Sequence, residues 1–106
     1  MNTDQKNWVA FAMLPGLGCI TAHKLLAIHP DPATLLQLRG TQLRALGLSA
    51  RLIASIVAYQ RQPTIAEDYL QRLQIWLEDP LNRLICFGDD EYPLMLRTIA
   101  DPPLLL

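Results

Sequence analysis

The sequence predicts a mainly α-helical chain: a bundle of short helices, then one longer helix and a short strand. Three observations carry this. Apolar residues recur at helical spacing as far as Pro80. Helix-breaking proline and glycine interrupt that pattern at Pro15, Gly16, Gly18, Pro30, Pro32, Gly40, Gly47 and Pro63, so each helix is short. Only at Arg83-Leu84-Ile85-Cys86-Phe87 does a brief apolar run, closed by Gly88, read as a strand.

Taken in order, Thr3 or Asp4 caps a first helix that runs to about Met13. Trp8, Val9, Phe11, Ala12 and Met13 make it apolar on most sides, as a central helix would be. A tight turn follows at Leu14-Pro15-Gly16-Leu17-Gly18, where Gly16 and Gly18 can take φ > 0 without steric cost. A second helix covers 19–28. Pro30 and Pro32 end it and set up a short helix over 33–38, stopped at Gly40. Thr41 caps another over 42–46, stopped at Gly47. Ser49 caps a longer helix over 50–61, with Leu52, Ile53, Ile56 and Val57 as its apolar stripe. The stretch 46–54 repeats the first turn in weaker form: a glycine turn, a serine cap, an apolar helix. Two such hairpins pair about a pseudo-two-fold axis with their stripes facing each other.

Residues 1–62 therefore read as one helical unit and 63–106 as a second segment. In the latter, Thr64 and Glu67 form a capping box for a helix reaching about Glu78. Ile65, Ala66, Tyr69, Leu70, Leu73, Trp76 and Leu77 line one face of that helix, and Asp68 and Arg72 pair on the other. After the strand at 83–87, Tyr92-Pro93 opens a short helical turn over 94–99. Leu104-Leu105-Leu106 reads as a strand just starting, expected either to self-associate or to stay disordered.

With 106 residues, 51% of them hydrophobic, the chain is long enough for one domain with a real core. A net charge of −1 and a pI near 6.0 argue against a strongly basic nucleic-acid surface but leave room for one local basic face. No apolar run approaches the ~18 residues of a membrane span. The N-terminus is polar, and the two cysteines suit a cytoplasmic protein with reduced thiols.

The glycine turn is the leading candidate site. It exposes backbone N–H groups at the start of the second helix, where a phosphate can bind. The element Pro15-Gly16-Leu17-Gly18 matches the core of the helix-hairpin-helix motif of DNA-binding proteins. Such motifs place basic residues just after the second glycine, where this chain has Cys19, Ile20 and Thr21; its first basic residues are His23 and Lys24. Gly16, Gly18, His23, Lys24 and Arg51 are the candidate DNA contacts, with Arg39, Arg44 and Arg61 as either a diffuse basic face or plain solvated surface. Cys19 and His23 are four apart on one helix, but Cys86 and His29 complete no compact set, so no metal site is read. Asp89-Asp90-Glu91 reads as a solvated turn, and Tyr92 as packed beneath the turn that follows. Trp8, Trp76 and Tyr69 sit on apolar helix faces and read as core rather than as base-stacking platforms. No nucleophile–base pair and no Walker phosphate loop is present, so the reading is non-catalytic, with no cofactor.

The last segment adds a family. Tyr92-Pro93-Leu94-Met95-Leu96, then Asp101-Pro102-Pro103 leading into Leu104, resembles the entry to the core of the DNA-processing protein A (DprA, or Smf) family. The motif residues are Tyr92, Pro93, Leu96, Asp101, Pro102 and Pro103. Members often carry an upstream helical domain, described as sterile-alpha-motif-like (SAM-like) or helix-hairpin-helix-like, whose first helix ends in Pro-Gly-x-Gly, as at Pro15 to Gly18. The resemblance covers nearly the whole chain in the right order. It implies an N-terminal helical domain joined to the first elements of a Rossmann-like α/β core that lies beyond Leu106. It further implies a role in natural transformation: binding incoming single-stranded DNA, mostly through that core, and helping to load the RecA recombinase. The alternative is a protein-interaction module with no nucleic-acid contact.

Overall fold

Helix α1 (Thr3–Ala12) begins at Asn2, one residue ahead of the expected caps. The Asn2 side chain accepts from the Gln5 N–H at 2.8 Å, and Gln5 Oε1 accepts from the Asn2 N–H at 3.1 Å. This reciprocal pair satisfies two donors at once, so Thr3 and Asp4 lie inside the helix. A computed structural model describes residues 2–62, 67–97 and 104–106 of the chain. Four consecutive residues of α1, Trp8 to Phe11, are buried. The second half of α1 is thus buried on every side and central, while Thr3, Asp4 and Lys6 of its first half are exposed.

Helices α2 (Cys19–Ile28) and α5 (Ala50–Arg61) lie where the sequence puts them. The two short helices between them do not. Helix α3 (Pro32–Leu36) starts at Asp31, whose side chain accepts from the Ala33 N–H at 3.1 Å, with Pro32 in the first turn where its missing N–H is harmless. It ends early because Gln60 of α5 reaches across, donating to the Leu36 and Leu38 carbonyls at 2.9 and 2.6 Å. Helix α4 (Gly40–Ala45) takes Gly40 as its first residue rather than as a stop. Gln42 folds back to accept the Arg39 N–H at 2.9 Å, so Thr41 is not the cap.

The core gathers Trp8, Phe11, Ala22, Leu25, Leu35, Leu43, Leu52 and Ile56 from α1 to α5. Cys86 and Leu104 join the same cluster, so it spans the expected boundary at 62/63. Helix α6 (Glu67–Leu77) departs from expectation. It buries none of its residues; Leu70, Leu73 and Leu77 are half-buried, while Tyr69 and Trp76 are 41% and 48% exposed. These two aromatics are therefore surface, because the stripe they belong to has no full partner. Arg72 Nε donates to the Asp68 carbonyl at 3.4 Å, in place of the expected ion pair. The expected capping box at Thr64 falls outside the described residues.

Among the described residues 83–87 forms no regular strand. It instead meets the chain end in one antiparallel bridge, Cys86 to Leu105. Ile85 and Leu106 exchange both backbone hydrogen bonds at 3.2 and 2.8 Å, and the Phe87 N–H donates to the Leu104 carbonyl at 2.8 Å. Leu104 is buried. The leucine tail is thus ordered against 85–87 of its own chain rather than disordered, with Leu104 covered and Leu106 43% exposed.

Phe87 centres a ring cluster, with Tyr92 at 5.1 Å, His23 at 4.8 Å and Trp8 at 6.4 Å between centroids. A Cβ at Gly88 would lie 2.9 Å from Trp8 Cζ2, so only glycine lets the chain pass the indole there. Tyr92 is buried, with its ring edge-on to Phe87. Helix α7 (Leu94–Arg97) follows it and carries the half-buried Leu96. Asp101, Pro102 and Pro103 lie outside the described residues.

Candidate nucleic-acid interface

Two turns of the same construction lie against each other. Gly16 has φ +86° and Gly47 φ +75°, both in the left-handed region where a Cβ is costly. Each is followed by a leucine that packs on the core, Leu17 or Leu48, and then by a helix N-cap, Gly18 for α2 or Ser49 for α5. Gly18 has φ −88°, so it is a cap in extended conformation and not a second left-handed residue. The weak sequence echo between the two turns is thus a match in backbone conformation at the left-handed glycine and at the extended N-cap.

The first turn rests on the first turn of α5. A Cβ at Gly16 would sit 3.3 Å from Arg51 Cγ and 3.5 Å from the Leu52 nitrogen. The Ser55 hydroxyl, one helical turn on from Arg51, donates to the Pro15 carbonyl at 2.7 Å and ties the same turn to α5. A cleft of about 240 Å³ lies between the hairpins, lined by Gly16, Thr21 and Lys24 from one and by Gly47, Leu48 and Ser49 from the other. Lys24 is the one charged side chain among the described residues that line it. The two helix starts differ chemically. Ser49 Oγ accepts the Leu52 N–H at 3.2 Å, whereas no side chain caps α2. First-turn N–H groups have no intrahelical partner, so the start of α2 offers donors and partial positive charge to an anion.

The structure divides the candidate contacts. Gly16 and Lys24 line the cleft, and Gly18 opens α2 beside it. Arg51 touches Gly16 but lines a separate groove. His23 sets its ring edge-on to Phe87 at 70°. Adjacent helical residues point about 100° apart, so His23 and Lys24 serve different faces. Trp8 is buried. Cys19 is exposed; Cys86 is fully buried, and its thiol is pushed up to about 12 by burial, with the Asp89 and Asp4 charges adding to it. Asp89 holds its own loop, accepting the Cys86 N–H at 2.8 Å, and Arg83 pairs with Glu91 at the surface. Among the described residues no three His, Cys, Asp or Glu side chains converge as metal ligands.

One electrostatic feature escapes a whole-chain count. Residues 1–62 hold six Lys and Arg against two Asp, a net +4, while 63–106 hold three Arg against eight acids, a net −5. The overall −1 averages a basic helical unit with an acidic segment, and counting charge by unit is the signal that reveals it.

Comparison with protein-family models, with curated proteins and with solved structures returns no match. No helix among the described residues is long and apolar enough to cross a membrane.

Proposed function

We propose that this chain is the non-catalytic helical portion of a DNA-processing protein A-like protein, contacting single-stranded DNA at the cleft between its two hairpins and acting with a RecA-type recombinase in transformation. The carrying observation is the pair of hairpins with matched left-handed glycines, closing on a cleft that joins Lys24 to the uncapped start of α2. The net +4 of residues 1–62 supports it. In this reading a phosphate sits on the first-turn N–H groups of α2 with Lys24 as its counter-charge, and Arg39 and Arg44 add sequence-independent attraction. The remaining DNA contacts belong to the Rossmann-like core implied by the Tyr92-Pro93 motif.

The test is a residue-resolved NMR titration with a single-stranded oligonucleotide at low and moderate salt. Shifts should cluster at Gly16, Gly18 and Lys24 and fade as salt rises. Lys24→Glu should weaken binding and lower the magnitude of the log–log salt slope by about 0.7, the loss of one phosphate contact on a single strand. Binding that ignores salt, or no shifts at all, refutes the reading. The second reading, a protein-interaction module, is favoured by one observation: the exposed apolar residues Met13, Tyr69 and Trp76.

A further inference from the structure

A groove of about 450 Å³ opens among α1, α5 and α6 and shares no lining residue with the cleft between the hairpins. Along α5, Arg51, Ala54, Ser55 and Ala58 fall at i, i+3, i+4 and i+7, so one stripe of that helix forms the floor over about 10 Å. Beyond Arg51 the floor is made of the small side chains Ala54, Ser55 and Ala58, which lets another backbone come close. Its hydroxyl is already used, since Ser55 donates to Pro15. Met13 and Tyr69 line the walls yet remain 43% and 41% exposed. Trp76 follows Tyr69 by two helical turns and carries the apolar surface on along α6, at 48% exposure. A surface this long and open suits a helix better than a compact small molecule.

Charge selects the kind of helix. Arg51 is the one charged side chain among the described residues lining the groove. Its aliphatic carbons lie beside Gly16, where an added Cβ would come within 3.3 Å of Arg51 Cγ, and Arg51 is the first residue of the floor stripe. Helix α5 carries Arg51 and Arg61 and no acid, whereas α6 opens with Glu67 and Asp68 beside Tyr69, so the positive charge is confined to the Arg51 end of the floor. We propose that this groove docks an amphipathic helix of a partner protein, one with bulky apolar residues at i, i+3 or i+4, and i+7 and a carboxylate that pairs with Arg51. The inference stands apart from DNA binding at the hairpin cleft and survives if that reading fails.

The experiment is a selection on the full chain with a displayed library of helical peptides of about sixteen residues, some 24 Å of helix, with apolar anchors at that spacing and Glu, Gln or Lys elsewhere. Acidic members should be enriched. The best peptide should bind Ala58→Trp, which fills the groove, and Arg51→Glu about tenfold more weakly or worse. Replacing the peptide's acid by lysine should restore binding to Arg51→Glu. Ala58 and Arg51 are exposed, so far-UV circular dichroism should show both variants folded. No enrichment, enrichment of neutral or basic peptides, or binding that persists in Ala58→Trp overturns the proposal. Self-association of the chain that Ala58→Trp abolishes overturns it in favour of a second copy.

Discussion

Substituting the turn glycines one at a time separates residues that look alike in sequence. At Gly16 the backbone has φ +86°, and an alanine there meets the left-handed penalty of about 1–2 kcal/mol. Its Cβ would also approach Arg51 Cγ at 3.3 Å, a contact that a flexible side chain can relieve by a small shift. Gly47, at φ +75° with open space around it, incurs the conformational penalty alone, so Gly47→Ala should cost the same 1–2 kcal/mol, roughly. Gly18 has φ −88° and nothing within 4 Å of a new Cβ. Gly18→Ala should therefore stay within about 0.5 kcal/mol of the parent, and Gly18→Ser should add a few tenths by capping α2. Urea unfolding followed by far-UV circular dichroism reads this directly. With a slope of about 1–3 kcal/mol per molar urea, Gly16→Ala and Gly47→Ala should lower the midpoint by roughly 0.3–2 M. A Gly18→Ala midpoint lowered as far as that of Gly16→Ala, or an unchanged Gly47→Ala, would refute the assignment of the two left-handed positions.

Thiol chemistry should separate the two cysteines. A water-soluble alkylating reagent should modify exposed Cys19 in the native state and reach Cys86 only on unfolding, with peptide mass analysis as the readout. Because burial raises the Cys86 thiol from 9.0 to about 12, the native state keeps a proton that the unfolded chain loses above about pH 9. Stability should then fall as pH rises from about 9 towards 12, by at most about 1.4 kcal/mol per pH unit, and Cys86→Ala should flatten that decline. Iodide should quench Trp76, at 48% exposure, and spare Trp8, at 4%; Trp76→Phe should leave a protein whose fluorescence resists quenching.

Which elements were legible follows from where their hydrogen bonds go. Helices α2 and α5 carry their own end signals, a glycine or serine cap within a residue of an apolar stripe, and they lie as expected. Helix α1 was misplaced at its start because three capping residues stand side by side, and only Asn2 has a glutamine three residues on to answer it. The end of α3 depends on Gln60, more than twenty residues away, which no local signal records. The aromatic face of α6 reads as core because periodicity reports that a stripe exists, not that anything covers it. The candidate site was half legible. Gly16 and Lys24 meet in the cleft, but His23 goes to Phe87 and Arg51 to the groove, since one residue along a helix turns the side chain through about 100°.

The sequence by itself determined the helical class, the two glycine turns and the buried central helix, because each rests on short-range backbone sterics, capping and hydrophobic period. Tertiary structure alone decided that the turns face each other across one cleft, that the final leucines pair with 85–87, and that Tyr69 and Trp76 remain in solvent. Those outcomes depend on which surfaces meet, and contacts between residues far apart in the chain are set by the packing of the whole core.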